Sequence, residues 1–382
     1  MDPLVSCTLY FDKDKTYFLS AGGVWLEPDN ILRPGCVLIK EGRVKEVGPG
    51  IQSPGSEVEF LDFSHLFLIP GLIDAHVHLA LGQGMGLITK VEHVVNAGMA
   101  AVRDGGDRDG LVLKRRNQIE NRIVLAAAGQ ALFRAGRYGA FLGRPLTGKK
   151  EMVESVESLV KAGVDQIKVL VSGPVGLNRY NQVGPPQFET QELADLVSCA
   201  RDHGLEVMAH ANGPEAVTRA VRAGVNSIEH GYFMGLDALD LIAENGVYWV
   251  PTIEPLAVLA ESETEPPKRR ALIKRVINNQ IKQLTRARDL GIHLGLGTDA
   301  GSPGVEVDSG LRREMAWWRK AGFSGSEILS IATADNAKLI GREEDVGRLT
   351  PGHLAFIIGL PDHVSLDQAP FVRPEMIGFP QL

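Results

Sequence analysis

The stretch PGLIDAHVH at residues 70–78 decides the fold, because it places two histidines two positions apart inside an apolar run. Side chains alternate between the two faces of a β-strand, so His76 and His78 point the same way if this stretch is a strand. A run this apolar is typical of a strand buried in a parallel sheet. We therefore predict that two imidazoles converge where the strand ends, rather than lying on a solvent-exposed face.

Beyond this stretch, short apolar runs alternate with amphipathic stretches of helical periodicity. Such alternation favours a parallel sheet, and eight runs at this spacing predict an α/β fold of the (β/α)8, or TIM-barrel, type. The alternative is an open doubly wound sheet, which needs a glycine-rich phosphate loop where residues 79–82 read LALG. The eight predicted strands are 72–79, 100–103, 123–127, 166–171, 206–210, 227–230, 247–251 and 293–298.

The two chain ends have a different sequence pattern. The first 65 residues lack long helical periodicity and are typical of short strands separated by turns. A last apolar run, 354–360, is too far from the barrel to belong to it and is expected to return to the N-terminal strands. We predict a small β-sandwich domain from residues 1–66 with 345–382, and a catalytic barrel at 67–344.

The composition excludes several classes of function. The 382 residues are 44% hydrophobic and 23% charged with a net charge of −7, which predicts a globular protein without a nucleic-acid partner. The three cysteines lack metal-ligand spacing and are too sparse for a disulfide framework. No apolar run suits a membrane span or a signal peptide, so we expect a cytoplasmic protein without a membrane partner. A homo-oligomer is left open.

Lys168 interrupts the apolar run QIKVLV at residues 166–171. A buried lysine costs free energy unless it is paired or neutral. One explanation is a lysine whose ammonium reaches solvent at the end of the strand. The other explanation uses the ease with which burial lowers the pKa of a lysine. The neutral amine can add CO2, and the resulting carbamate can bridge two cations.

Three further candidates close later predicted strands. His210 ends the fifth strand, His230 ends the sixth, and Asp299 follows the eighth. Taken singly, a strand-end histidine is more often hydrogen-bonded than metal-bound, and an aspartate beside glycine is common in turns. In a barrel, however, the carboxyl ends of all strands face one mouth, and imidazole is a usual zinc ligand. The six candidate metal ligands at this rim are His76, His78, Lys168, His210, His230 and Asp299.

Taken in order, these segments resemble the amidohydrolase superfamily over residues 68–360. The motif at residues 70–78 is highly specific, and the ordered set is more so. Within the superfamily, the motifs resemble the Xaa-Pro dipeptidase-like and imidazolonepropionase-related branch. The other matching segments are 102–104, 166–169, 209–211, 227–231, 297–301, 332–333, 336–337, 347–349 and 351–352.

The resemblance implies a metal-dependent hydrolase that cleaves the C–N bond of N-acyl amino acids or dipeptides at a site with two divalent ions, most often Zn²⁺. Asp299 would also take a proton from the attacking water and pass it to the leaving nitrogen. The implied ligands are His76, His78 and Asp299 for one ion, His210 and His230 for the other, and a carbamate on Lys168 for both.

Substrate contacts are expected from the loops that follow the strands. Tyr232, directly after His230, is the first candidate, and Arg137 and Tyr138 are the others. Members of the branch often carry Gly-Gly-His-Gly where residues 136–139 read Gly-Arg-Tyr-Gly, so a histidine near the substrate is replaced. An arginine there can bind a substrate carboxylate with two hydrogen bonds.

Two alternatives stay open. One is a cyclic amide or amidine hydrolase, or a deaminase, with a single metal ion and no role for Lys168. Such enzymes usually need a glutamate near the fifth strand, and Glu206 lies at the wrong end of that strand. The other is a catalytically silent scaffold, which should have lost some of the six ligands; all six are present.

Overall fold

The computed structural model describes residues 7–27, 30–51, 55, 57–82 and 84–381. The strands, in chain order, are β1 (Cys7–Phe11), β2 (Thr16–Glu27), β3 (Asn30–Leu32), β4 (Gly35–Lys40), β5 (Arg43–Gly48), β6 (Val58–Pro70), β7 (Leu72–Val77), β8 (Met99–Asp104), β9 (Val124–Ala127), β10 (Ala131–Arg134), β11 (Gly143–Leu146), β12 (Gln166–Leu170), β13 (Val175–Gly176), β14 (Gln182–Val183), β15 (Glu206–Ala211), β16 (Ser227–His230), β17 (Tyr248–Val250), β18 (Ile357–Pro361) and β19 (Met376–Pro380).

The helices follow the same order. They are α1 (Leu87–Asn96), α2 (Leu111–Lys114), α3 (Arg116–Glu120), α4 (Lys149–Lys161), α5 (Thr190–Asp202), α6 (Gly213–Ala223), α7 (Leu236–Glu244), α8 (Glu254–Glu261), α9 (Pro267–Asp289), α10 (Gly310–Lys320), α11 (Gly325–Ser330) and α12 (Asn336–Leu339). A π-helical turn, Ile331–Asp335, joins the last two, and a short 3-10 turn spans Ala369–Phe371. Within the described residues, no helix has the length and apolar character needed to cross a bilayer.

Strands from both chain ends form one sheet, in the order β1-β19-β18-β6-β2-β4-β5 with β3 paired to β2. The predicted return of the C-terminal run to the N-terminal strands is confirmed, because β18 pairs antiparallel with β6 and sets Ile357 opposite Pro70. The strands are joined as one continuous sheet, and a division into the two packed layers of a β-sandwich stays a prediction.

β6 has 13 residues and runs to Pro70, whereas the sequence pattern predicted short strands confined to the first 65 residues. Its last residues, Leu66–Pro70, are buried throughout, so the alternation that marks the first half of the strand disappears. The two faces of β6 still pack differently. Leu68 belongs to a small core within the chain-end sheet, and Ile69 belongs to the large core of the α/β part. β6 therefore connects the two parts of the molecule.

The α/β part carries parallel strands in two groups, β7-β8-β9 and β11-β10-β12-β15-β16-β17. The eighth predicted strand, 293–298, makes isolated parallel bridges instead of a continuous ladder: Leu294 with Trp249 of β17, and Ala300 with Val77 of β7. Side chains take the place of the missing ladder bonds. Asn336 accepts from the N–H of Leu296, and Asp74 accepts from the N–H of Thr298. This segment links the two groups along one side.

The amphipathic stretches that follow the fourth to seventh predicted strands form helices α5, α6, α7 and α9. The amphipathic stretch 326–339, whose pattern also predicts a helix, is instead divided into α11 and α12 by the π-helical turn. Thr333 explains part of the break, because its hydroxyl donates to the carbonyl of Leu329 and competes with the helical hydrogen bond. The pattern also missed β10, β11 and the β13–β14 hairpin, which are short and lie between the predicted elements.

Candidate active site

The six predicted ligands are brought into one cluster. Lys168 Nζ lies 3.4 Å from His76 Nε2. The ring centroids of His76 and His230 are 5.1 Å apart, and those of His230 and His210 are 4.5 Å apart. The cluster is assembled at the carboxyl ends of parallel strands, where β15 and β16 pair Ala211 with His230. The adjacent strand ends expected from the sequence therefore meet in space.

Asp299 closes the cluster from the segment that links the two groups of strands. Its Oδ1 atom lies 3.6 Å from His76 Nε2 and 3.5 Å from His78 Nε2. Asp299 and His230 both have positive φ, 57° and 68°. A residue other than glycine pays about 1–3 kcal/mol to hold such a backbone, and residues of this kind concentrate at functional sites.

Each histidine is oriented by a hydrogen bond on one ring nitrogen. His76 Nδ1 lies 2.7 Å from Glu229 Oε2, and His78 Nδ1 lies 2.8 Å from the carbonyl oxygen of Gly106. His230 Nδ1 lies 2.6 Å from the hydroxyl of Thr252. A ring nitrogen that donates to such a group leaves the other nitrogen, here Nε2, with a lone pair.

His210 is turned the other way. Its Nε2 atom makes the contacts, 3.2 Å from the amide nitrogen of Asn212 and 3.4 Å from the carbonyl oxygen of Gly173. Burial lowers the pKa of all four imidazoles, to about 4 for His78 and about 3 for His210, with the charge of Lys168 a further cause. Neutral imidazole is the form that binds metal ions, so the cluster is suited to that role.

Burial also favours the uncharged forms of the other two members of the cluster, Lys168 and Asp299. It lowers the pKa of Lys168 to about 8, and it raises the pKa of Asp299 to about 6. Lys168 is 1% exposed, which does not fit the explanation of an ammonium that reaches solvent. Ser302 donates a hydrogen bond of 2.9 Å to Asp299 Oδ2, which leaves Oδ1 facing the histidines. A carboxylate whose pKa lies near neutral pH suits proton transfer, and a lysine with such a pKa suits carbamate formation.

The sequence analysis gave no role to a buried ion pair behind His76. Glu229 and Arg103 are joined by two hydrogen bonds of 2.9 and 3.0 Å, and Arg103 also donates to the carbonyl of Ala75 at 2.6 Å. The hydroxyl of Ser227 donates to Glu229 at 2.5 Å. The available signal was an arginine in β8 (MAAVRD) and a glutamate in β16 (SIEH), two strands that are buried throughout. The pair fixes the His76 ring through Glu229.

Two buried aspartates hold the backbone around the histidines. Asp74 accepts from the hydroxyl of Thr298 at 2.6 Å, and Asp104 accepts from the N–H of Leu79 at 2.8 Å, directly after His78. Burial raises the pKa of each carboxyl to about 7. Asp74 therefore fixes the segment that carries Asp299, and Asp104 fixes the turn after the first metal-ligand motif.

The donor set can be compared with what a metal ion requires. Among the residues that the structure describes, one group of three could hold an ion: His76, His78 and Asp299, whose ligand atoms lie within 4.8 Å of one another. Two imidazoles and one carboxylate suit Zn²⁺ and related ions. These three side chains therefore form a candidate site for one metal ion.

A cavity of about 1050 Å³ opens above the cluster. Tyr138 and Tyr232 line it, as predicted for substrate contacts. The phenol of Tyr232 donates to the carbonyl of Thr252 at 2.5 Å, so its ring is held in place. Arg137 is exposed and is not among the described residues of the cavity wall. The structure therefore does not bring Arg137 to the site, because its side chain leaves the turn on the solvent side.

With this geometry in place, comparison with known proteins identifies the class. The amidohydrolase family model matches residues 67–373, and the protein belongs to the amidohydrolase family. The crystal structure of a Xaa-Pro dipeptidase with bound methionine in the active site is similar, with 26% identity, a TM-score of 0.78, and coverage of 91% of this chain and 94% of that one.

Two curated relatives extend the comparison. Ochratoxinase from Aspergillus niger is 26% identical over 67% of this chain and 54% of the relative. Imidazolonepropionase from Paracoccus denitrificans is 24% identical over 84% of this chain and 86% of the relative. The resemblance predicted from the motifs is confirmed at the level of the family, together with its dipeptidase and imidazolonepropionase relatives.

Proposed function

We propose that the protein is a metal-dependent hydrolase that cleaves the amide bond of an N-acyl amino acid or a dipeptide. One observation carries the proposal: four buried imidazoles, each oriented through one ring nitrogen, meet Lys168 and Asp299 at the base of a cavity. Such a set is costly to bury and is well suited to metal ions. The peptidase and ochratoxinase relatives agree with hydrolysis of an amide.

Two divalent ions, most simply Zn²⁺, would be held by this cluster. When bound, they would polarise the scissile carbonyl and acidify the attacking water. The residues that would hold them are His76, His78 and Asp299 for one ion, His210 and His230 for the other, and Lys168 as a carbamate for both.

Lys168 would change its charge by modification. The ammonium first releases one proton to become the neutral amine. The amine nitrogen then forms a bond to the carbon of CO2, one C–O π bond breaks, and the nitrogen releases a second proton to solvent, so a buried cation becomes an anion. The burial that lowers the pKa of Lys168 increases the fraction of reactive amine. An ammonium next to two divalent cations would repel them, whereas a carbamate attracts them.

Asp299 would carry the proton. Its Oδ1 atom faces the histidines, and burial raises its pKa towards neutrality. It would accept a proton from the attacking water and donate it to the leaving nitrogen, which must leave as an amine. Tyr138 and Tyr232, on opposite loops of the cavity, would contact the substrate.

The architecture that we propose for this chemistry is a closed (β/α)8 barrel at 67–344, with residues 1–66 and 345–382 as a small accessory β-sandwich. Support for closure comes from the segment carrying Asp299, whose bridges reach β17 and β7. On the opposite side, the N–H of Asp165, just before β12, donates to the carbonyl of Ala127 in β9.

A single-metal reaction on a cyclic amide or amidine is the second candidate. It is favoured by one observation, that the described residues contain one three-ligand group rather than two. Glu206, which such a reaction would need near the metal, is exposed at the opposite end of β15. The buried Lys168 favours the two-metal proposal.

A substrate screen tests the proposal. The full chain, purified without chelator and supplied with Zn²⁺, is incubated with N-acyl amino acids, dipeptides and cyclic amides, and the release of amine is measured. We expect release from at least one N-acyl amino acid or dipeptide. Release from cyclic compounds alone would support the second candidate, and no release from any compound at full metal loading would favour the silent scaffold.

A further inference from the structure

The cavity wall contains few charges beyond the metal cluster. Of the described residues that line it, Lys90 and Glu306 are the charged side chains outside the six candidate ligands. They differ in setting, because Lys90 is 7% exposed whereas Glu306 is exposed. A buried charge requires a compensating partner, and an exposed one does not. Lys90 is therefore the side chain of the wall that needs an explanation.

Lys90 projects from α1 towards the turn that follows His78. Its ammonium donates to the carbonyl of Leu79 at 3.2 Å and to the carbonyl of Leu81. Two carbonyl dipoles occupy two of its three N–H groups and leave one. In the part of the chain that the structure describes, no carboxylate forms an ion pair with Lys90. The charges of Glu306 and Asp104 act on the ammonium from a longer distance. The site thus presents to the cavity a buried cation that no described carboxylate contacts directly.

We propose that Lys90 binds the carboxylate of the substrate, and that this substrate is an N-acyl amino acid with a bulky apolar acyl group. The inference rests on the proposed function and narrows its substrate class. In an N-acyl amino acid, one carbon separates the scissile nitrogen from the carboxylate carbon. The protein group that binds this carboxylate must therefore lie close to the metal cluster. Lys90 meets this requirement, because its ammonium donates a hydrogen bond to the carbonyl of Leu79, the residue next to His78.

The rest of the wall favours an acyl group over the ammonium of a free dipeptide. A free dipeptide carries a cation beyond the scissile bond, and the carboxylate left to bind it, Glu306, is exposed. A cavity of about 1050 Å³ has room for an aromatic or branched acyl group next to an amino acid. The apolar side chains that line it include Leu81, Met85, Leu142, Leu177, Leu256 and Leu259.

Lys90 has a competing role, which is to hold the turn after His78 in place through its two carbonyl bonds. The two roles make different predictions. A residue that only holds the turn affects every substrate alike, whereas a residue that binds the carboxylate affects substrates according to their charge. A pair of substrates that differ only in the charge of the carboxylate therefore distinguishes the turn-holding role from the carboxylate-binding role.

The experiment compares N-benzoyl-L-phenylalanine with its C-terminal carboxamide, and follows benzoate release by the zinc-loaded enzyme. We expect the wild type to prefer the acid in kcat/KM. Lys90→Met should reduce the acid-to-amide ratio by about tenfold to a hundredfold, the size expected for a charge-assisted hydrogen bond. Lys150→Met, at an exposed lysine of α4, is the matched control and should keep the ratio.

Each other outcome has a definite meaning. An equal loss for acid and amide in Lys90→Met would overturn carboxylate binding and support the turn-holding role. Cleavage of the free dipeptide Phe-Phe as fast as the benzoyl compound would overturn the acyl preference. If the wild type cleaves neither compound, the benzoyl compound is not a substrate, and the substrate screen described above decides the proposed function. The acid is then an uncleaved ligand for calorimetry, and a Kd unchanged by Lys90→Met would overturn the role of Lys90 independently.

Discussion

Glu229 Oε2 and His76 Nδ1 lie 2.7 Å apart, and both side chains are fully buried. Behind them, Arg103 donates to both carboxylate oxygens of Glu229. The carboxylate of Glu229 is thus held in place as an acceptor, and it keeps Nδ1 of His76 turned away from the other histidines. A buried ion pair thus sets the orientation of a proposed metal ligand.

Glu229→Gln should weaken metal binding and destabilise the fold. The change keeps the shape of the side chain but leaves Arg103 as a buried charge without a counter-ion, which typically costs about 3–5 kcal/mol. Loss of a carboxylate partner also weakens metal affinity by about tenfold to a hundredfold. Urea unfolding and competition with a chromogenic chelator measure the two effects. Glu154→Gln, in the exposed pair with Lys150, should change stability by less than about 1 kcal/mol, and equal effects of both variants would contradict the account.

Asp299→Asn should retain the fold and most of the metal but lose turnover. Asparagine can offer an oxygen to a metal ion but cannot accept the proton, and such transfers contribute on the order of 10²–10⁴ in rate. Steady-state kinetics with a metal assay on the same sample checks this. Asp308→Asn is the control, because Asp308 is nearby in the chain and pairs with His93 at 3.0 Å. Turnover of Asp299→Asn within a few-fold of wild type would remove Asp299 from proton transfer.

Lys168→Ala should be inactive and metal-poor, and a short carboxylic acid in the buffer should restore part of its activity. The acid can occupy the space that the side chain leaves and supply the bridging carboxylate in place of the carbamate. Lys161→Ala, at an exposed position of α4, controls for the loss of a lysine. Mass spectrometry under CO2 or a crystal structure tests the modification directly. A free amine beside two occupied metal sites would show that the bridge is made by another group.

Glu314 should make stability depend on pH away from the metal cluster. It is fully buried, and burial raises its pKa to about 8, although the N–H of Glu254 and the indole of Trp318 donate to it. The folded protein then keeps a proton that the unfolded chain has released, so the free energy of unfolding falls as pH rises from about 4.5 to about 8, by at most about 1.4 kcal/mol per unit. Urea unfolding across this range measures the slope. Glu314→Gln should reduce the slope and leave the part due to Asp74, Asp104 and Asp299, whose pKa values burial also raises. An unchanged slope would show that Glu314 does not contribute to it.

The clustering of the candidate ligands could be predicted from the sequence because it follows from local rules. The period of a strand places His76 and His78 on one side, and the carboxyl ends of parallel strands place His210, His230 and Asp299 at a common edge. These rules use only chain position, so they do not depend on which distant residues come into contact.

The parts that the sequence did not predict depend on long-range contacts. Arg103 meets Glu229 across 126 positions in the chain, and Asp74 meets Thr298 across 224. Lys90 carried no signal, because a single lysine in an amphipathic helix is ordinary until a cavity is found beside it. Arg137 was placed near the substrate because a sequence does not show which way a side chain leaves a turn.

The most direct test of the central claim is a zinc titration of the metal-free protein, with amine release from an N-acyl amino acid as the readout. The account predicts no turnover without metal, and a rate that rises until about two equivalents of Zn²⁺ are bound per chain, as two metal sites require. Full turnover in the metal-free protein would contradict the account altogether. A rate that is already maximal at one equivalent would contradict the two-metal site and favour the single-metal alternative.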